Sequence, residues 1–76
     1  MPEQYRFDDY KRGVSLIATI YVGFRGWNCQ LDILIPDGQS ETGLFCGDSP
    51  EDALEFAMEQ SNVKAPALSE WVRVRF

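Results

Sequence analysis

From residue 14 onward the chain alternates between two kinds of side chain. Val14, Leu16, Ala18, Ile20, Val22 and Phe24 fall on one side, with Ser15, Ile17, Thr19, Tyr21 and Gly23 on the other. This is the period of a half-buried strand. The pattern resumes with Trp27, Cys29, Leu31, Ile33 and Ile35 against Asn28, Gln30, Asp32 and Leu34. Arg25-Gly26 between the two runs is expected to form a two-residue turn, with glycine supplying the positive φ that such turns demand. Pro36-Asp37-Gly38 marks a second turn, and a shorter third strand is expected over 40–46.

The register follows from these loops. With Arg25-Gly26 at the tip, Phe24 faces Trp27, Val22 faces Cys29, Ile20 faces Leu31 and Ala18 faces Ile33. With 36–39 as the next loop, Ile33 faces Thr42, Leu31 faces Leu44 and Cys29 faces Cys46. Apolar positions meet throughout, and a one-residue slip would separate them. The expectation is a three-stranded antiparallel meander.

Ser49 is a favoured helix N-cap, Pro50 suits the first helical position, and Asp52 completes a capping-box-like start. The helix should run to about Asn62, since Pro66 blocks continuation. Ala53, Leu54, Ala57, Met58 and Ser61 share one face, with Phe56 at its edge. Residues 71–76 alternate again and read as a fourth strand, with Val72, Val74 and Phe76 on one side and Trp71, Arg73 and Arg75 outward. Tyr5-Arg6-Phe7 is a candidate short edge strand. The predicted class is α+β: a three-stranded antiparallel β-meander, one α-helix packed on one face, and a C-terminal fourth strand.

Composition adds limits. The 76 residues, 45% hydrophobic and 25% charged, are expected to form a single small domain spanning 1–76, with ordinary globular content. A chain of this size buries only ~60% of its unfolded surface. No apolar run approaches the ~20 residues of a membrane span, and Met1-Pro2-Glu3 does not open a signal peptide. A soluble, cytoplasmic protein is the expectation.

Seven basic and twelve acidic residues leave a formal charge of −5, and histidine is absent. That charge disfavours direct nucleic-acid or membrane binding and favours a protein partner with a basic surface. Without histidine the chain lacks the commonest general base and metal ligand, and every Ser/His or Cys/His pairing. No enzymatic activity, cofactor or metal is expected.

The acidic residues cluster. At ~100° per residue, Asp48, Glu51, Asp52, Glu55 and Glu59 lie within an arc of roughly 100°, opposite the apolar stripe. Glu51 and Asp52 suit the positive end of the helix dipole. Glu55 and Glu59 lack that explanation, and like charges at i,i+4 cost ~0.2–0.5 kcal/mol per pair. A convex helix face offers no cleft to separate carboxylate pKa values for catalysis, and no loop has calcium-site spacing. The stripe therefore reads either as a solvated face or as a surface for a basic partner.

One helix covers one sheet face. On the other, the expected register gathers Ile17, Tyr21, Leu34 and Phe45, a second candidate interface suited to a homodimer. The alternative is that an N-terminal segment bearing Tyr5, Phe7 and Tyr10 folds over them. On the terminal strand, Trp71, Arg73 and Arg75 combine residue types frequent at binding hot spots, although such residues also protect an edge strand from aggregation. Cys29 and Cys46 are expected as inward neighbours able to form a disulfide or redox pair. Two thiols without histidine do not make a zinc site, and buried cysteine commonly serves as a small hydrophobe.

Trp27-Asn28-Cys29, Gly47-Asp48-Ser49 and Ala53-Leu54-Glu55-Phe56-Ala57 resemble a small prokaryotic domain family. That family has a W-x-C strand and a G-x-D-s-x-x-A-L-x-x-A helix start. In this chain Asp48 directly precedes Ser49, and the likeness carries no activity with it. In size and acidity the chain is also similar to phage and mobile-element inhibitors of the anti-CRISPR type. That similarity implies a binding protein that covers the basic, nucleic-acid-binding surface of its target. A structural or assembly protein, acting as a homo-oligomer through its open sheet face, is the alternative, and a thiol-based enzyme or sensor comes third.

Overall fold

A computed structural model describes residues 2–23, 26–36 and 40–74, and in the fourth strand the side chains from Gly43 onward. Over these residues the chain is α+β, with one antiparallel sheet and one α-helix. The strands are β1 (Glu3–Asp9), β2 (Val14–Gly23), β3 (Gly26–Leu34), β4 (Ser40–Gly47) and β5 (Val72–Val74), and the helix is α1 (Pro50–Gln60). The five strands lie in the order β4-β3-β2-β1-β5.

The expected meander of three strands is thus extended. The segment read as the short edge strand Tyr5-Arg6-Phe7 is a seven-residue strand inside the sheet, paired on one side with β2 and on the other with β5. The N-terminal segment therefore adds to the sheet edgewise and does not fold over its open face. Tyr10 stays in solvent at 90% exposure.

The hairpin of β2 and β3 keeps the predicted faces but shifts its pairing by two residues. Ile20 pairs with Cys29 and Ala18 with Leu31, and Gly23 pairs with Gly26, so that the tip is 24–25 and not 25–26. Gly26 has the expected positive φ of 115°, but as the first residue of β3. The side chains of Phe24 and Arg25 lie outside the described residues. A shift by two leaves each side chain on its original face, because the pleat repeats every two residues. Leu16, Ala18, Ile20, Cys29 and Leu31 are buried as expected, whereas Val22 near the sheet end is exposed.

The next connection has the larger consequence. Leu34 pairs with Ser40, so the loop spans 35–39, one residue longer than predicted. That one residue turns β4 over. Phe45 pairs with Cys29, packs against the core on the helix side and meets Phe56 edge-to-face at 5.7 Å. Leu44 and Cys46 face out. Phe45 therefore does not belong to the open face. Cys29 and Cys46 project from opposite faces, the first buried and the second exposed, which removes the expected thiol pair.

The helix begins as its sequence dictates. Ser49 is the N-cap, and its Oγ accepts from the Asp52 backbone N–H at 3.1 Å. Gly47 permits this start. A Cβ there would sit 2.8 Å from the Ala53 Cα, inside the helix backbone. At the other end Asn62 adopts φ 55°, while Asn62 N–H donates to Glu59 and Val63 N–H to Met58. These bonds make a Schellman-type stop.

Ala53, Leu54 and Ala57 bury their faces over β3 and β4, and the segment from Val63 to Trp71 closes the rest of that side. Here the terminal alternation misleads. Trp71 is buried in the core, 5.8 Å from Phe7, with its indole N–H donating to the Pro66 carbonyl, while Val72 is 69% exposed. A 3₁₀ turn over Leu68–Glu70 delivers Trp71 to the interior before β5 begins. Trp71 and Arg73 therefore form no shared outward surface, and Arg75 lies outside the described residues.

Candidate partner-binding face

The helix presents Glu51, Asp52, Glu55 and Glu59 to solvent, and Asp48, which precedes the N-cap Ser49, is exposed as well. This follows from burial of Ala53, Leu54 and Ala57, since a helix that sinks one stripe must lift the opposite one. Glu51 and Asp52 occupy the first turn, at the positive end of the helix dipole. The last turn holds no basic residue. Glu59 thus adds a negative charge where the dipole is already negative, a placement that costs helix stability.

Among the described residues, three arginines away from the helix are matched. Arg6 pairs with Asp8 at 3.0 Å, Arg12 with Asp9 at 3.8 Å and Arg73 with Glu3 at 3.2 Å. Asp8 also accepts from the Ser15 hydroxyl at 2.7 Å, and that bond, then Arg6, holds its carboxyl below the ordinary range. The Tyr5 hydroxyl donates to Glu3, which pushes the phenol above its usual value. Among the described residues, none of the five stripe carboxylates forms an ion pair.

Five of the twelve acidic residues lie in the stripe, and the other seven equal the seven Lys and Arg. These five carboxylates thus equal in number the formal net charge of the whole protein. Beside it runs a groove of about 270 Å³, between α1 and residues 65–68, with Glu51 and Glu55 at its rim. The sequence reading missed this groove. Its only advance signal is Ala65-Pro66-Ala67, a segment barred from helix and too small in side chain to fill the space against α1.

On the opposite sheet face, pairing decides what the apolar residues meet. Ile17 lies across from Asp32 and Arg6, Tyr21 from Asn28, Leu34 from Ser15 and Leu44 from Gln30. Val72 lies across from Arg6 and Val74 from Gln4. The expected contiguous patch of Ile17, Tyr21, Leu34 and Phe45 is broken up, because the two-residue shift of β3 places a polar neighbour directly beside each remaining member. Cys46 donates its S–H to Asn28 Oδ1 at 3.0 Å on this face. The Cys29 thiol, removed from water, is pushed up to about 11.

Among the described residues no group of three or more Cys, Asp or Glu is placed to hold a metal ion, and no helix is long and apolar enough to cross a membrane. No protein-family model, curated protein or solved structure matches the chain. Any functional reading therefore rests on the chain's own surfaces.

Proposed function

We propose that this protein is a binding module that covers a basic, nucleic-acid-binding surface of a partner protein with its acidic helix face. It acts by occupying that surface, as an inhibitor would, without a chemical step. Asp48, Glu51, Asp52, Glu55 and Glu59 are the contact residues. One observation carries the reading: four carboxylates of α1 and Asp48 just before it are exposed and, among the described residues, unpaired, and in number they equal the formal charge of −5. Such an arrangement gives a directional field that steers association with a positive surface.

Glu51–Glu55 and Glu55–Glu59 are like-charge i,i+4 pairs, so the free helix bears a strain of roughly 0.4–1 kcal/mol in total. A cationic partner relieves it. The open sheet face, where polar residues separate the apolar ones, offers weaker support for self-association.

The experiment immobilises the protein, challenges it with host lysate at low salt and elutes with a salt gradient. The expected result is a basic protein, released by salt, that cannot bind nucleic acid while captured. A variant carrying Asp52→Lys, Glu55→Lys and Glu59→Lys should capture nothing. Capture of the same partner by that variant, or a captured partner that still binds nucleic acid, would overturn the proposal.

A further inference from the structure

The groove beside the stripe has a construction of its own. The Schellman-type stop turns the chain back along α1, with Val63 N–H bonded to Met58 O at 2.9 Å. The indole of buried Trp71 anchors the returning segment through the Pro66 carbonyl at 3.0 Å. Between these two fixings the wall consists of Ala65, Pro66 and Ala67, whose short side chains leave the space unfilled. Leu54 and Leu68, both buried, form the floor, and half-buried Met58 lines one side. Glu51 and Glu55, one helical turn apart and both exposed, stand at the mouth.

This combination selects its occupant. The volume of about 270 Å³ falls below the ~300–1,000 Å³ typical of small-molecule pockets, so the space suits a single side chain. An aliphatic or aromatic side chain would fill the floor but bring nothing to the two carboxylates. A short cation would meet the carboxylates and leave the floor wet. A long basic side chain satisfies both, because its methylene stem is apolar and only its head is charged.

We propose that the groove receives one Arg or Lys side chain of the protein partner, its stem lying on Leu54, Met58 and Leu68 and its cation between Glu51 and Glu55. The proposal rests on the acidic-face reading and adds to it a point of register. General charge attraction brings the partner near, and this side chain fixes where it sits. An arginine head can address both carboxylates at once through its planar array of donors.

The test uses the intact protein, labelled at its methyl groups, titrated at low salt with capped hexa-arginine and hexa-lysine peptides. Methyl signals of Leu54, Met58 and Leu68 should shift together with the backbone signals of Glu51 and Glu55. Ala67→Leu, which fills the groove without touching any charge, should weaken peptide binding roughly tenfold, about what two methylenes returned to water are worth. Glu59→Gln, outside the groove, should weaken it less than Ala67→Leu does.

Binding that moves the helix signals but leaves those methyls still, or that Ala67→Leu leaves intact, would overturn the groove proposal while the acidic-face reading stands. No binding of either peptide by the wild-type protein would overturn both. A stronger response to one peptide than the other supports the groove and tells which head group it takes.

Discussion

The facing of β4 is the most consequential feature of this fold, and one pair of substitutions tests it. Phe45 packs against the core, lies edge-to-face on Phe56 at 5.7 Å, and holds its ring over Gly43, where a Cβ would come within 2.9 Å of the ring carbon Cζ. Leu44, its neighbour, is 59% exposed on the opposite face. Full truncation of a buried Phe costs ~3–5 kcal/mol. Because Phe45 is half-buried, Phe45→Ala should cost about 2–3 kcal/mol, including ~0.5–1.5 kcal/mol from the lost aromatic pair. Leu44→Ala should stay within ~0.5 kcal/mol of wild type, as surface changes do. A chain of this size has a total stability of about 4–11 kcal/mol, so the first change removes a large share and the second almost none. Urea unfolding followed by the fluorescence of Trp27 and Trp71 measures both, and the melting temperature of Phe45→Ala should fall by about 10–20 °C. If Leu44→Ala proves as costly as Phe45→Ala, β4 faces the other way and the assignment of its two faces is wrong.

Further outcomes follow from other parts of the molecule. Gly47→Ala forces a methyl into the backbone of Ala53 and should destabilise by ~1–3 kcal/mol, read by thermal denaturation. Ser49→Ala removes the cap on Asp52 N–H and should cost ~1 kcal/mol, visible as a lower melting temperature in circular dichroism. Glu59→Lys places a cation at the negative helix end and should raise stability by ~0.3–1 kcal/mol while weakening partner capture; a variant losing both stability and capture would point to a structural role for Glu59. An alkylating reagent at pH 8 should modify only Cys46 in the folded protein and both thiols after unfolding, because Cys29 is buried. The same burial sets a pH dependence. Cys29 keeps its proton up to about 11 when folded, against 9.0 for the ordinary thiol. The folded state therefore binds more protons in that window, and stability falls as pH rises from about 9 to 11. Cys29→Ala should flatten that slope, and an unchanged slope would refute the assignment; Tyr5, also raised by its bond to Glu3, contributes a fall of the same sign.

The sequence alone specified what depends on neighbours a few residues apart. The alternation in 14–35 assigned the faces of β2 and β3, since the pleat has a fixed period of two. Ser49-Pro50 placed the start of α1, because capping is a bond between residues three apart. The carboxylate stripe followed from helical geometry, and its exposure is what the structure shows. What needed the tertiary structure was anything that depends on where distant segments meet. Alternation tells which side chains share a face but not which partner lies opposite, so a loop of 35–39 in place of 36–39 was enough to turn Phe45 inward and Cys46 outward and dissolve the thiol pair, while the two-residue shift between β2 and β3 parted Ile17 from Leu34. Trp71 sits at the junction of a 3₁₀ turn and a three-residue strand, where strand parity does not extend backwards. Its burial is decided by the contact with Phe7, which reaches it only once β5 pairs with β1, and by the bond to Pro66 five residues back. The groove beside Glu51 and Glu55 arises the same way: Ala65-Pro66-Ala67 marks a non-helical run of short side chains in the sequence, and becomes a wall only when the fold lays it against α1.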